Sequence, residues 1–127
     1  MNQVSLAGAP DALLALQRQG LFKLTYLHQG PYGQMWDFSG PAGIEGSITI
    51  EEQPGSFLLH TIDIEPSGTG LGAKIVDGCK THAQQSQTTF RVPQAMNLDF
   101  FARFKWLSWQ EPGPDNSMWS ASYSPPH

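Results

Sequence analysis

The spacing of apolar residues changes along the chain, and its first pattern predicts a short helix. Between Pro10 and Gly20 the leucines recur at helical spacing. Pro10 and Asp11 suit the first turn of a helix, since aspartate is favourable at the positive end of the helix dipole, and Gly20 suits its end. The predicted buried stripe of this helix is Leu13, Leu14 and Leu16.

Residues 21–65 follow a second pattern, in which β-branched and aromatic residues form short runs. The runs are FKLTYLH, QMWDFS, IEGSITIEE and SFLLHTIDIE, and the turn-forming segments QGPYG, GPAG and QPGS separate them. Because the separators are short, we predict a meander of three or four antiparallel strands joined by hairpins. Alternation should set the register, with Ile48 and Ile50 facing opposite to Ser47, Thr49 and Glu51.

The rest of the chain predicts a crossover helix, a strand, a second helix and a terminal hairpin. The segment after Pro66 has apolar residues every four positions, and its predicted buried face is Leu71, Ile75, Cys79 and Ala83. The run TTFRVP then predicts a strand parallel to IDIEP. In NLDFFARFKW, Asn97 can cap a helix. The predicted core-facing residues of that segment are Leu98, Phe101, Phe104 and Leu107.

These elements predict an α/β fold of the α+β type, with a mixed, mostly antiparallel central sheet flanked by helices. A chain of 127 residues suits one domain, so we expect a single domain over residues 1–127 with a frayed tail at 124–127. The glycine-rich turn that follows IDIEP would lie at the carboxyl end of its strand, where ligands of open α/β sheets bind.

Composition and charge narrow the function classes. A chain with 11% aromatic and 14% charged residues is typical of a globular domain rather than a disordered polyelectrolyte. The net charge of -4 provides no basic face for a phosphate backbone, so we expect no nucleic-acid partner. No apolar run spans a bilayer and no signal peptide is visible, and the single cysteine fits a reducing compartment; we expect a cytoplasmic protein without a membrane partner.

The turn from Ser67 to Gly72 carries the most informative motif. Its glycines leave backbone N–H groups at a helix start, where an anion can bind, or they simply allow a tight turn and close packing. The phosphate-binding loop of nucleoside triphosphatases does not fit, because Lys74 lacks the glycine before it and the hydroxyl residue after it. The dinucleotide fingerprint matches Gly68, Gly70 and Ala73, but the next strand lacks the acidic residue at its end.

The same turn and a second segment after it resemble two motifs of one known family. The GNAT superfamily of acyl-CoA-dependent N-acyltransferases has Arg or Gln, two residues, Gly, one residue, then Gly or Ala, and Ser67 to Gly72 resembles this with both glycines in place. That family continues with a helix, a strand, an Asn, an aromatic helix and an aromatic strand start, which Asn97, Phe104 and Leu107–Trp109 resemble. The resemblance covers about residues 57–109.

The resemblance implies where acetyl-CoA would bind. The strand before the turn would splay from its neighbour and hold the pantetheine arm through its backbone, and the turn would hold the pyrophosphate through N–H groups without a metal. The implied cofactor-binding residues are Ile62, Asp63, Ile64, Ser67, Gly68, Thr69, Gly70, Leu71, Gly72, Ala73, Asn97 and Phe104. The four histidines stand apart from any CxxC or HExxH pattern, and we expect no metal site.

The resemblance also implies an activity, the acetylation of a primary amine on a small molecule, peptide or protein. His60 lies on the strand before the turn, at an offset where some members carry a histidine base, and Glu51 is the alternative base. The chain departs from the family at Ser67 and at Phe104, where a tyrosine acid is usual, and Tyr32 and Tyr123 are the other hydroxyl candidates. The alternative is therefore a non-catalytic module of this fold that binds acyl-CoA or a protein. We expect the site for the amine acceptor either to be open or to be completed by a second chain in a homodimer.

Overall fold

The computed structural model describes residues 8–30, 33–66, 68–95, 97–114 and 118–126. In chain order the elements are α1 (Asp11–Arg18), β1 (Lys23–Gly30), β2 (Gly33–Ser39), β3 (Glu45–Gln53), β4 (Ser56–Glu65), α2 (Leu71–Ser86), β5 (Thr89–Val92), α3 (Leu98–Ala102), β6 (Ser108–Gln110) and β7 (Ser120–Tyr123). A single 3-10 turn, Pro41–Gly43, links β2 to β3. The described part of the chain is thus an α+β structure with three α-helices, as the sequence predicts for its class.

The strands form one seven-stranded, mostly antiparallel sheet in the order β1-β2-β3-β4-β5-β7-β6. Strands β1 to β4 pair with their sequence neighbours, so the predicted meander of hairpins is confirmed. The predicted crossover is also confirmed, because α2 connects β4 to β5 and these two strands run parallel. The terminal hairpin of β6 and β7 closes the sheet, with β7 antiparallel to β5.

The parallel pairing between β4 and β5 is short, and the sheet opens beyond it. Pairing joins Ser56–Leu58 to Thr89–Arg91 and then stops, although β4 continues to Glu65. On its other side, β4 stays paired with β3 along its whole length. Among the described residues, the β5-facing edge of β4 therefore carries no neighbouring strand in its second half.

A β-bulge interrupts the pairing of β3 with β4. Thr49 pairs with Thr61 and Ile50 pairs with Leu59, so His60 is the extra residue on β4. Bulges re-aim side chains and increase the local twist. Ile48 and Ile50 of β3 are buried, and Thr49 between them is only 3% exposed.

Helices α1 and α2 contact each other and the sheet. The predicted buried face of α2 is confirmed at all of its positions, which are Leu71, Ile75, Cys79 and Ala83. Gly78 of α2 allows close packing, since a Cβ there would lie 2.7 Å from Leu16 Cδ2 of α1. On α1 the predicted stripe is wrong at Leu14, which is only partly buried, because Ala12 and Ala15 complete the buried face instead.

The second helix of the motif region, α3, is shorter than the sequence predicts. The cap is confirmed, since Asn97 Oδ1 accepts a hydrogen bond from the Phe100 N–H at 3.1 Å. Leu98 is 41% exposed, so its predicted core position is wrong, because the buried side of this five-residue helix is set by Phe101. Phe104 is buried as predicted, but it lies after the helix, which ends at Ala102.

Two further expectations concern the membrane and the tail. Within the described residues, none of the helices is long and apolar enough to cross a membrane. Residues 124–126 form neither helix nor strand, and the hydroxyl oxygens of Ser124 and Thr89 lie 3.0 Å apart. His127 lies outside the described residues.

Candidate functional site

A cavity of about 670 Å³ opens where β4 separates from β5. Its walls come from the second half of β4, the glycine turn, the first turn of α2, the end of β5, and α3 with its flanking residues. The lining residues are Leu59, His60, Thr61, Ile62, Asp63, Ile64, Gly68, Thr69, Gly70, Gly72, Ala73, Val92, Asn97, Phe100, Phe101 and Arg103. This volume lies within the ~300–1,000 Å³ that is usual for ligand pockets.

The glycine turn forms the part of the cavity at the start of α2. Gly68 and Gly70 have φ angles of +79° and +84°, which side chains of L-residues rarely adopt. A Cβ added at either glycine would meet no atom within 4 Å, so the turn faces open space. At these two glycines the turn presents backbone rather than side chains, and a ligand has room beside it.

The first turn of α2 presents its backbone to the same space. Thr69 Oγ1 accepts from the Leu71 N–H at 3.4 Å, and the Gly70 carbonyl accepts from the Lys74 N–H at 3.2 Å. Gly72 and Ala73 line the cavity, and their N–H groups have no acceptor within the helix because they belong to its first turn. Together with the partial positive charge of a 16-residue helix, they form a place for an anion.

Gly72 also lets the walls of the cavity approach one another. A Cβ at this position would lie 3.4 Å from Ile64 Cδ1 and 3.4 Å from the Phe100 ring. At Gly72 the end of β4 and the aromatic segment of α3 therefore lie close to the first turn of α2.

The second half of β4 is the long wall of the cavity. Ile62, Asp63 and Ile64 line it, and on their other side they pair with Ile48, Ser47 and Gly46 of β3. The β5-facing edge of this segment has no strand partner among the described residues. Backbone groups along this edge can therefore hydrogen-bond an extended ligand arm, as an additional strand would.

A histidine lines the cavity at the bulge and contacts a carboxylate outside the lining. His60 lines the cavity, and its Nε2 lies 2.8 Å from Glu51 Oε1. The His60 side chain is 15% exposed, whereas that of Glu51, which does not line the cavity, is 47% exposed. Hydrogen bonds from His60 and then from Gln53 lower the pKa of the Glu51 carboxyl, so Glu51 is ionised at neutral pH.

The opposite wall comes from α3 and its flanks. Asn97, Phe100, Phe101 and Arg103 line the cavity here. The Arg103 guanidinium lies 5.3 Å from the centre of the Phe100 ring, so the aromatic ring supports the cation at this wall. The charged or titratable lining side chains of the described residues are His60, Asp63 and Arg103.

The structure brings most of the sequence-predicted site residues to one cavity. Ile62, Asp63, Ile64, Gly68, Thr69, Gly70, Gly72, Ala73, Asn97 and His60 line it. Leu71 and Phe104 do not, because both side chains are buried in the core. Ser67 and Tyr32 lie outside the described residues. Tyr123 does not line the cavity; its hydroxyl accepts from Gln84 Nε2 at 3.1 Å.

Sequence reasoning missed several residues of the lining. Thr61 was not singled out, and its Oγ1 is buried with no hydrogen-bond partner in the described part of the chain. Phe100, Phe101 and Arg103 belong to the aromatic segment NLDFFARFKW, of which the resemblance assigns only Asn97 and Phe104 to the site. The sequence carries no signal that separates these residues from Phe104, because α3 ends at Ala102, before Phe104.

No protein-family model matches the chain, and no curated protein or solved structure matches it. Across the residues that the structure describes, no three His, Cys, Asp or Glu side chains are grouped so as to hold a metal ion.

Proposed function

We propose that this protein is an N-acetyltransferase of the GNAT type, which transfers an acetyl group from acetyl-CoA to a primary amine. The observation that carries the proposal is the coincidence of three features in one cavity: an open strand edge, a glycine turn at a helix start, and a histidine. Each of the three has a separate role in acyl transfer from a coenzyme A thioester.

The open edge of β4 and the glycine turn suit the two ends of coenzyme A. The pantetheine arm carries amide groups, which can hydrogen-bond the backbone of Ile62–Ile64 where β5 no longer pairs. The pyrophosphate is an anion, which the N–H groups of Gly72 and Ala73 and the dipole of α2 can stabilise. These groups need no metal ion to bind it.

His60 suits the role of general base at the reacting end. In the proposed reaction the amine nitrogen bonds to the acetyl carbonyl carbon, the carbon–sulfur bond breaks, and the amine proton ends on the released thiol. The amine must be neutral to attack, and an imidazole takes up a proton near neutral pH. His60 lines the cavity beside the edge of β4 that would hold the arm.

The alternative function is a module that binds acyl-CoA without turnover. The observation that favours it is Phe104, which occupies the position of the family's tyrosine acid, offers no hydroxyl and is only 6% exposed in the core. Proximity and orientation alone supply much of the rate in such transfers, so a missing acid weakens an acetyltransferase without abolishing it. The two functions differ in turnover and not in binding.

The experiment is an assay of thiol release from acetyl-CoA with a panel of primary amines on small molecules, peptides and proteins. Cys79 is buried, so it should add little to the thiol signal. For an accepted amine, His60→Ala should lower kcat by about 10²–10⁴-fold, the usual contribution of a general base. The matched control is His28→Ala, since His28 pairs with Asp37 at 3.0 Å but does not line the cavity.

The outcomes separate the two functions. Thiol release that depends on both an amine and His60 supports the acetyltransferase. Binding of acetyl-CoA without release for any amine would support the binding module. Equal loss of activity in the His60 and His28 variants would contradict the role of His60 as base.

A further inference from the structure

The contact between His60 and Glu51 fixes more than the position of the ring. An ionised carboxylate can only accept hydrogen bonds, whereas each nitrogen of a neutral imidazole either donates or accepts. Since His60 Nε2 lies 2.8 Å from Glu51 Oε1, the nitrogen must carry the hydrogen of that bond. The lone pair of the neutral ring is then on Nδ1.

We infer that Glu51 is a positioning residue, which holds the His60 ring in the tautomer with the proton on Nε2 and the basic lone pair on Nδ1. This inference rests on the proposed function for its catalytic meaning. It replaces the alternative in which Glu51 is itself the base, because Glu51 lies outside the cavity lining while His60 is within it.

The local fold explains why the two side chains meet. Glu51 pairs across the sheet with Leu58 of β4, and His60 lies two residues further along β4. The bulge adds one residue to β4 between the Leu59 and Thr61 pairs, and that residue is His60. Bulges next to functional sites commonly re-aim a side chain. Here the bulged residue both contacts the carboxylate and lines the cavity.

The proton transfer then has a defined course. Neutral His60 accepts one proton from the acceptor amine at Nδ1 and becomes an imidazolium, while Nε2 keeps its hydrogen bond to Glu51. Glu51 stays ionised, and its negative charge stabilises the imidazolium that forms. The ring later loses the Nδ1 proton, to the leaving thiolate or to water, and the neutral tautomer returns. Glu51 neither gains nor loses a proton over the cycle.

The His60–Glu51 ion pair contributes little to stability, so a Glu51 variant can be tested for function without unfolding the protein. Ion pairs between partly exposed side chains are worth little in stability, and Glu51 is 47% exposed. Glu51→Gln should therefore leave the melting temperature unchanged. The amide of glutamine can donate as well as accept, so it no longer forces the hydrogen onto Nε2. A structural role alone would not connect this change to the tautomer and to kcat.

The test combines ¹⁵N nuclear magnetic resonance of the His60 ring with kinetics. In the neutral form of the ring, the wild type should show the Nε2-protonated tautomer, and Glu51→Gln and Glu51→Ala should show a mixture or the opposite tautomer. With an amine that the wild type acetylates, both variants should lower kcat by about tenfold or more, within the total that a base supplies, at unchanged KM for acetyl-CoA. The control Asp37→Asn removes the matched charge beside His28 and should leave kcat unchanged.

Each result decides the inference. A wild-type ring protonated on Nδ1, or a Glu51→Gln ring with the wild-type tautomer and full kcat, would overturn it. If no amine is acetylated, the proposed function fails, but the resonance measurement still decides the role of Glu51: a tautomer that depends on Glu51 supports the inference, and one that does not refutes it.

Discussion

Replacing Gly70 by alanine tests the glycine turn in two separable ways. Gly70 precedes α2 with φ +84° and ψ -5°, and a Cβ there would meet no atom within 4 Å. The cost to folding is therefore conformational rather than steric. A left-handed conformation costs a residue with a side chain about 1–2 kcal/mol. At roughly 4 °C for each kcal/mol in a domain of this size, the melting temperature should fall by about 4–8 °C.

The same substitution should weaken coenzyme A binding by a larger factor than it weakens folding. Gly70 lines the cavity and an added Cβ there would meet no atom within 4 Å, so under the proposed function the methyl group would compete with the pyrophosphate for the approach to the backbone N–H groups. Hydrogen bonds to a charged group contribute about 1.5–3 kcal/mol each. Losing one of them should raise the Kd for acetyl-CoA by about 10–100-fold, which isothermal titration measures directly.

Gly55→Ala is the matched control for this prediction. Gly55 has φ +76° and equally open space around it, but it lies in the β3–β4 turn outside the cavity lining. The two variants should therefore lose similar stability, and only Gly70→Ala should lose affinity. Unchanged affinity in Gly70→Ala, or equal loss in both variants, would refute the pyrophosphate assignment.

Three further predictions concern packing, reactivity and pH. Gly46→Ala should destabilise the fold by about 1–3 kcal/mol or more in urea unfolding, because its Cβ would clash with the Asp63 carbonyl oxygen and the ring of Phe38. The Cys79 thiol, whose pKa burial raises to about 12, should react with a disulfide reagent only after unfolding. Burial lowers the pKa of His82, so the imidazole binds a proton more readily in the unfolded chain than in the folded one, and urea unfolding should show stability falling as the pH drops below about 6.5. A stability that rises as the pH falls through this range would contradict the burial of a neutral His82.

The order of the elements could be predicted from the sequence because each depends on local patterns. Turn residues such as those of QPGS force a hairpin, and a period of four in α2 exposes one face and buries the other. The same reasoning failed where a non-local contact decides the outcome. The exposure of Leu98 depends on where the short helix α3 meets the core, and the partial burial of Leu14 depends on Ala12 and Ala15 completing the buried face of α1.

The candidate site followed the same division. The glycine turn is contiguous in sequence, so it could be found from residue types alone. The contact between His60 and Glu51 joins two strands and depends on the pairing register that sets Glu51 opposite Leu58, which the pattern of either strand alone does not reveal. Sequence reasoning accordingly treated the two residues as competing bases.

The most direct test of the account is isothermal titration of the purified protein with acetyl-CoA, free CoA, NAD and ATP, in which the heat of binding is measured. The shift in melting temperature with each ligand is the second readout. Selective binding to the native state must raise the melting temperature. The account predicts micromolar binding of acetyl-CoA and free CoA, with no binding of NAD or ATP. Binding of NAD or ATP with similar affinity, or the absence of binding by either coenzyme A species, would contradict the assignment of the cavity between β4, α2 and α3 to acyl-CoA.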